Sequence, residues 1–277
     1  MYRVSKVLNN NGVIAIDMDE NQEYVILGKG VGFGKKVSQR FDKPQECTMY
    51  RLSQETERGS AKELVKGIEP EYLEIADAIL TEAQKVFGDS IDRGILFPLA
   101  DHISFAVARI RRNEQISNPL TEDIKVLFYS EFKVAETLKT ILKERLQIEI
   151  DDHEVGYVAL HIHSAIGDEK VSVAMQTARA VRECIDMIEK ATGKPIDVLS
   201  LSYNRLMNHM KYMVARASTG EKLNLDMNEY MLDQYPQAYE IAADICKNLE
   251  GCIGHKLDET EIGYLAMHIQ RVYKDAV

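Results

Sequence analysis

The chain has no tryptophan, and its four cysteines, Cys47, Cys184, Cys246 and Cys252, form neither a CxxC pair nor a metal-ligand spacing. Reduced, structural thiols follow, and no cysteine-held metal. No run approaches the roughly 20 apolar residues of a membrane span, and the start, MYRVSKVLNNN, lacks the apolar segment of a secretion signal. A cytoplasmic protein without membrane insertion is expected. Positive charge is also short, with 34 Lys and Arg against 44 Asp and Glu, a net of −10. That argues against nucleic acid as a partner of the whole surface, but the deficit is uneven. Residues 1 to 52 carry eight Lys/Arg and six Asp/Glu, so the head stands at +2 and the remainder at −12.

What is present is a duplication. EVGYVALHI at 154 to 162 returns as EIGYLAMHI at 261 to 269. His102 with VAR at 107 to 109 returns at the same offset, as His209 with VAR at 214 to 216, so the spacing within each pair of histidines is identical. At about 100° per residue, Val155, Val158, Ala159 and Ile162 share one stripe while Glu154, Tyr157 and His161 share another face. Glu261, Tyr264 and His268 repeat that face. Upstream, His102, Phe105 and Arg109 fall together, as do His209, Tyr212 and Arg216. A lone helical histidine is ordinarily structural, but two of them duplicated in register point to function.

The head, 1 to about 56, reads as β structure. RVSKVL at 3 to 8, VIAI at 13 to 16 and YVIL at 24 to 27 are short and rich in Val and Ile, and a fourth strand is expected near TMYRL at 48 to 52. Between them GKGVGFGKK at 28 to 36 places glycine at every second position with three lysines around Phe33. The loop has neither a Walker sequence nor GxGxxG spacing. Alternating glycines allow close backbone approach, lysines contact phosphates, and an aromatic ring stacks a base. A flexible hairpin with a solvated charge run is the competing reading.

From about 68 onward, EYLEIADAILTEAQKVF, ISFAVARI, AETLKTILKERL and VSVAMQTARAVRECIDMIEKA carry 3.6-residue periodicity. The expected fold is therefore α+β and multidomain: a small four-stranded antiparallel β head followed by two homologous all-α bundles. The boundaries read are 1–56 for the head, 57–67 for a linker or leading helix, 68–169 for the first unit and 170–277 for the second.

SKVLNNN at 5 to 11 followed by LGKGVGFGKK at 27 to 36, with the duplicated histidine units behind, resembles the BglG/SacY family of transcriptional antiterminators. The resemblance spans essentially the whole chain. It implies a co-antiterminator RNA-binding domain that dimerises and binds a partly mismatched antiterminator hairpin RNA, through Lys6, Asn9, Asn10, Asn11, Gly28, Lys29, Gly30 and Phe33. Lys29 stands where several members carry Arg, which removes a bidentate fork. The wording GFGKK and HIHSAI leans toward the glucose-type branch. The helical units resemble phosphotransferase-system (PTS) regulation domains, in which His102, His161, His209 and His268 accept phosphoryl groups from the phosphocarrier protein HPr and from a sugar-specific PTS permease. In that family phosphorylation of the first unit by the permease inhibits, and phosphorylation of the second by HPr often activates. His153, His163 and His255 match no such position and read as structural, while Arg109 and Arg216 are candidate phosphate partners by shared face.

Two other classes are open on the residues alone. Zinc suits histidine, but His161 and His163 point about 160° apart on a helix and no HExxH occurs. A histidine and carboxylate pair suits catalysis, but no nucleophile or pocket is identifiable. No catalytic residue, metal or cofactor is assigned, and the chain is not expected to be an enzyme. A DNA-binding activator carrying the same regulation domains is the alternative function. Its helix-turn-helix start would contrast with this β-patterned, glycine-rich one.

Overall fold

The computed structural model describes residues 1–53, 55–56, 59–167, 170–197 and 200–275. An antiparallel sheet opens the chain, with β1 (Tyr2–Asn9), β2 (Gly12–Asp17), β3 (Gln22–Leu27), β4 (Arg40–Phe41) and β5 (Thr48–Arg51) in the order β4-β1-β2-β3-β5. The four expected strands are joined by β4, a two-residue edge too short to carry a propensity signal. It is held where Phe41 packs on Tyr2, ring centroids 5.9 Å apart. Period-two alternation puts Val13, Ala15 and Ile26 on one face with Val31 of the glycine loop, and these form the head's core. A second ribbon pairs β6 (Glu55–Thr56) with β7 (Gly59–Ser60).

The helices follow: α1 (Ala61–Gly67), α2 (Pro70–Phe87), α3 (Leu96–Arg111), α4 (Thr121–Leu127), α5 (Tyr129–Ala135), α6 (Thr137–Leu146), α7 (Asp152–Gly167), α8 (Val171–Thr192), α9 (Leu201–Thr219), α10 (Asn228–Gln234), α11 (Pro236–Ile253) and α12 (Thr260–Asp275). Local chemistry sets their starts. Pro70 fits the first turn of α2, where its missing N–H would have no partner. Ser200, in extended conformation, accepts the Tyr203 N–H to cap α9. No helix among the described residues is long and apolar enough to cross a membrane.

By compactness the chain divides into two units, Met1–Asn118 with Ser130–Lys170, and Pro119–Tyr129 with Val171–Val277. In the first, α2 packs on α3, α6 and α7; in the second, α11 packs on α8 and α12, and α12 on α9 and α10. The buried stripe of α2, including Leu73, Ala76, Leu80 and Ala83, corresponds in spacing to Ala178, Val181, Ile185 and Ile188 of α8, all buried as well. The leading helices of the two units thus repeat in a register of their own, slightly shorter than that of the histidine helices.

The second unit includes α4, which lies on α8 and α9. There the Tyr203 hydroxyl, fully buried, donates to Asp123 Oδ1 at 3.0 Å. Desolvation raises the Asp123 carboxyl above its ordinary value despite that bond. Removing the hydroxyl with Tyr203→Phe leaves a buried carboxylate short of a donor, at a cost of about 1 to 3 kcal/mol. Calorimetry of the full chain should show the loss in the second unit's transition; an unchanged midpoint would mean that solvent already satisfies Asp123.

Candidate functional site

The head's asparagine turn and glycine loop are stitched together by their backbones. Gly28 N–H donates to the Asn11 carbonyl and Gly32 N–H to the Asn10 carbonyl, both at 2.9 Å. Asn11 Oδ1 accepts from Gly30 N–H at 3.0 Å, and Asn9 Oδ1 accepts from Asn11 N–H at 2.8 Å. Glycine is required at 32 because a Cβ there would lie 2.0 Å from the Asn9 carbonyl oxygen. Of the residues picked from sequence, Lys6, Asn10, Lys29, Gly30 and Phe33 are exposed, and Asn9, Asn11 and Gly28 are half-buried. Phe33 is 74% exposed, a ring held at the surface with no core to fill. Of the lysines near it in sequence, Lys35 sits 4.5 Å over the Phe41 ring.

Each helical unit builds one histidine pair. In the first, α3 carries His102 and α7 carries His161, with ring centroids 5.3 Å apart. The face that periodicity set apart from the apolar stripe is an internal seam, since His102 is 8% and His161 5% exposed. Glu154, two turns before His161 on α7, is buried between two side chains of α3. Its Oε2 lies 3.4 Å from His102 Nε2, and its Oε1 accepts a hydrogen bond from Arg109 at 2.9 Å. Burial opposes ionisation of Glu154, but the nearby His102 ring and the bond from Arg109 prevail and hold its carboxyl below the usual range. Tyr157 closes the seam, 5.8 Å from the His102 ring.

The second unit repeats the arrangement with the two histidine rings closer together. His209 of α9 and His268 of α12 stack at 4.8 Å, and Tyr264 stacks on His209 at 6.2 Å. Glu261 lies 3.6 Å from His209 Nε2 and takes a two-pronged contact from Arg216, at 2.6 and 2.8 Å. Gly263, inside the repeated motif, lets α10 approach: its N–H donates to Asn228 Oδ1 at 2.8 Å, and a Cβ would meet Asn228 N at 2.8 Å. Arg109 and Arg216, candidate phosphate partners from their face, are each engaged by a glutamate in this structure. Sequence distance concealed this, because the partners lie 45 residues apart on different helices.

Of the remaining histidines, two make contacts in the first unit, where His163 Nδ1 is 2.9 Å from Glu131 and His153 Nδ1 accepts from Asn118 N–H at 3.3 Å, and His255 is exposed in the second. Among the described residues no group of His, Cys, Asp and Glu is arranged to hold a metal. Cys184 and Cys246 are buried, which pushes both thiols up to about 12.

Burial, then His268 and Arg216, push His209 down to about 3. Burial, then Arg271 and Arg205, push His268 down to about 4. Both rings are neutral at pH 7, leaving a nitrogen lone pair in each. An unfolded histidine titrates near pH 6.5, so stability contributed by these sites is present above that pH and lost as it falls toward 4. At pH 5 the loss from His209 is on the order of 2 kcal/mol, with a smaller one from the more open His268. Calorimetry of the full chain between pH 7.5 and 5 should show the second unit's transition moving down, and less so in His209→Gln; equal shifts in both proteins would remove His209 as the cause.

Comparison with known proteins matches the CAT RNA binding domain at residues 2–59 and the PRD domain at 77–165 and 182–272. The GlcA/glcB genes antiterminator of Staphylococcus carnosus (strain TM300) is 30% identical over 274 residues, covering 97% of this chain and 94% of that protein. Transcription antiterminator LicT of Bacillus subtilis (strain 168) is 28% identical over 278 residues, covering 99% of this chain and 100% of that protein. A solved structure, the crystal structure of GlcT CAT-PRDI, superposes with a TM-score of 0.52 at 30% identity over 60% of this chain and 98% of its own. The expected β head and helical units, and the lean toward the glucose-type branch, agree with these matches. The chain belongs to the family of RNA-binding transcription antiterminators that join a CAT RNA binding domain to two PRD domains.

Proposed function

We infer that the protein binds an antiterminator hairpin in nascent mRNA, blocking a terminator, and that phosphorylation of its histidine pairs by the sugar phosphotransferase system sets its activity. One observation carries the reading most: backbone hydrogen bonds join the asparagine turn to the glycine loop, and on the joined segments Asn10, Lys29 and the Phe33 ring are exposed. That combination suits phosphates and splayed bases rather than the groove of duplex DNA. Lys6, Asn9, Asn10, Asn11, Gly28, Lys29, Gly30 and Phe33 are the proposed contacts. The division at 1–56, 57–67, 68–169 and 170–277, and assembly as a homodimer, belong to the same proposal.

His102, His161, His209 and His268 are the proposed acceptors, with HPr and a sugar-specific permease as donors. A neutral imidazole nitrogen attacks the phosphorus of a donor phosphohistidine; the donor's N–P bond breaks as the new one forms, and the donor ring regains the proton that the acceptor sheds. The incoming group brings a charge of about −1.5 to −2. Beside Glu154 or Glu261 such a charge is repelled, by about 4 kcal/mol per pair of unit charges at 4 Å and an effective dielectric of 20. The relief is to move Arg109 or Arg216 from the glutamate to the phosphoryl group, repacking the seam between helices.

Titration of the full chain with a partly mismatched hairpin over a salt series should show affinity falling steeply as counterions are released, with duplex DNA bound far less well. Duplex DNA bound as tightly as the hairpin would defeat the reading. Phe33→Ala should cost about 1 to 3 kcal/mol of that affinity; unchanged binding would mean that no base stacks on the ring.

The sign of regulation is tested with aspartate, which supplies part of a phosphoryl charge. His102→Asp with His161→Asp should weaken hairpin binding, whereas His209→Asp with His268→Asp should strengthen both dimerisation and hairpin binding. Sedimentation and RNA titration of the two double variants decide the matter. Behaviour identical to the parent in both would sink the phosphohistidine switch, and reversed signs would exchange the roles of the two units.

A further inference from the structure

The RNA-facing asparagines already have a partner within the chain. Asn9 Nδ2 donates to Glu74 Oε1 at 2.6 Å and Asn11 Nδ2 donates to Glu74 Oε2 at 3.1 Å. Glu74 is on α2 of the first helical region, 65 and 63 residues away. The orientation of both amides is fixed independently of this contact, because their oxygens accept backbone N–H groups inside the turn and loop. Their NH2 ends therefore face outward, and one carboxylate takes a donor with each oxygen. Arg145 of α6 stands 3.7 Å from Glu74 Oε2 and supplies a counter-charge to the carboxylate.

A carboxylate in this position imitates what RNA would bring, since phosphate oxygens and base carbonyls seek the same amide donors. Other contacts hold the head to the same helix: the Tyr50 hydroxyl bonds Asp77, and Arg93 reaches both, at 2.9 and 2.8 Å. Glu74 is not demanded by the bundle's core. In the register that matches Leu73 with Ala178 its counterpart is Arg179, an exposed residue of opposite charge. A position whose charge inverts between repeats, and which in the first repeat meets the head, is explained by the head.

We propose that Glu74 is an autoinhibitory plug: the first regulatory bundle holds the chain in a closed form by occupying Asn9 and Asn11, and hairpin RNA binds only after Glu74 withdraws. The plug rests on the RNA-binding reading of the head. It links that surface to the helix that packs on both α3 and α7, which carry His102 and His161. Competition for the same donors lowers apparent RNA affinity by the fraction of molecules that are open.

The test uses the full chain and a partly mismatched RNA hairpin. Glu74→Ala and Glu74→Gln should each bind the hairpin more tightly than the parent, by about tenfold for the alanine variant given two charge-assisted bonds lost. Glu82→Ala, the same charge change further along α2, should not. Arg145→Ala should shift affinity in the same direction by less. Thermal melting of each variant checks folding, and the glutamine variant keeps the size of the side chain that alanine removes. Parent binding with unchanged or weaker binding by both Glu74 variants would overturn the plug and leave the RNA reading intact. No hairpin binding by the parent or by either variant would overturn the RNA reading itself, and the plug with it.

Discussion

A buried glutamate shared between a histidine and an arginine is the constraint on which each helical unit depends. An isolated carboxylate in such a seam would take up a proton rather than remain charged. Glu154 stays ionised because Arg109 and His102 flank it, and Glu261 is gripped at both oxygens by Arg216. Breaking such a pair on one side is costly, since the remaining charge is then buried alone. Two helices that meet through this contact therefore have few intermediate arrangements, and a new anion beside the glutamate favours repacking over gradual adjustment. The aromatic ring beside each pair, Tyr157 or Tyr264, lies against the histidine of the facing helix.

The head obeys a different constraint, close approach of backbones. Gly32 passes directly against the Asn9 carbonyl, so the loop cannot move away from the turn without losing the hydrogen bonds that shape both. Rigidity here matters for binding, because donors already held in place lose little freedom when a ligand arrives. It also explains how one carboxylate on α2 can engage the surface: the two amides are presented at a fixed separation. The head and the first bundle thus meet through a polar contact at the asparagine turn and through an aromatic one, Tyr50 against Phe97 with ring centroids 6.3 Å apart.

The cysteines and the unduplicated histidines show how surroundings remove chemistry. Cys184 and Cys246 hold thiols raised far above neutrality, so neither is a ready nucleophile. His163 spends its Nδ1 on Glu131 and His153 on Asn118, local contacts that the motif pattern had already set apart from the duplicated pairs.

The linear chain determined a good deal. Period-two runs marked the strands, 3.6-residue periodicity marked the helices, and one constant offset tied four histidines into two pairs, because duplication and periodicity are properties of order along the chain. Two kinds of fact were not written that way. Strand β4 and helix α4 are short segments placed by partners, Tyr2 for one and Tyr203 for the other, with little propensity of their own. The arginines and glutamates could be assigned to faces but not to each other, and Glu74 carried no mark distinguishing it from any other glutamate on a polar helix face. Charge pairing acts through a few ångströms of space, and residues 45 or 65 positions apart come within that range only after the helices have packed.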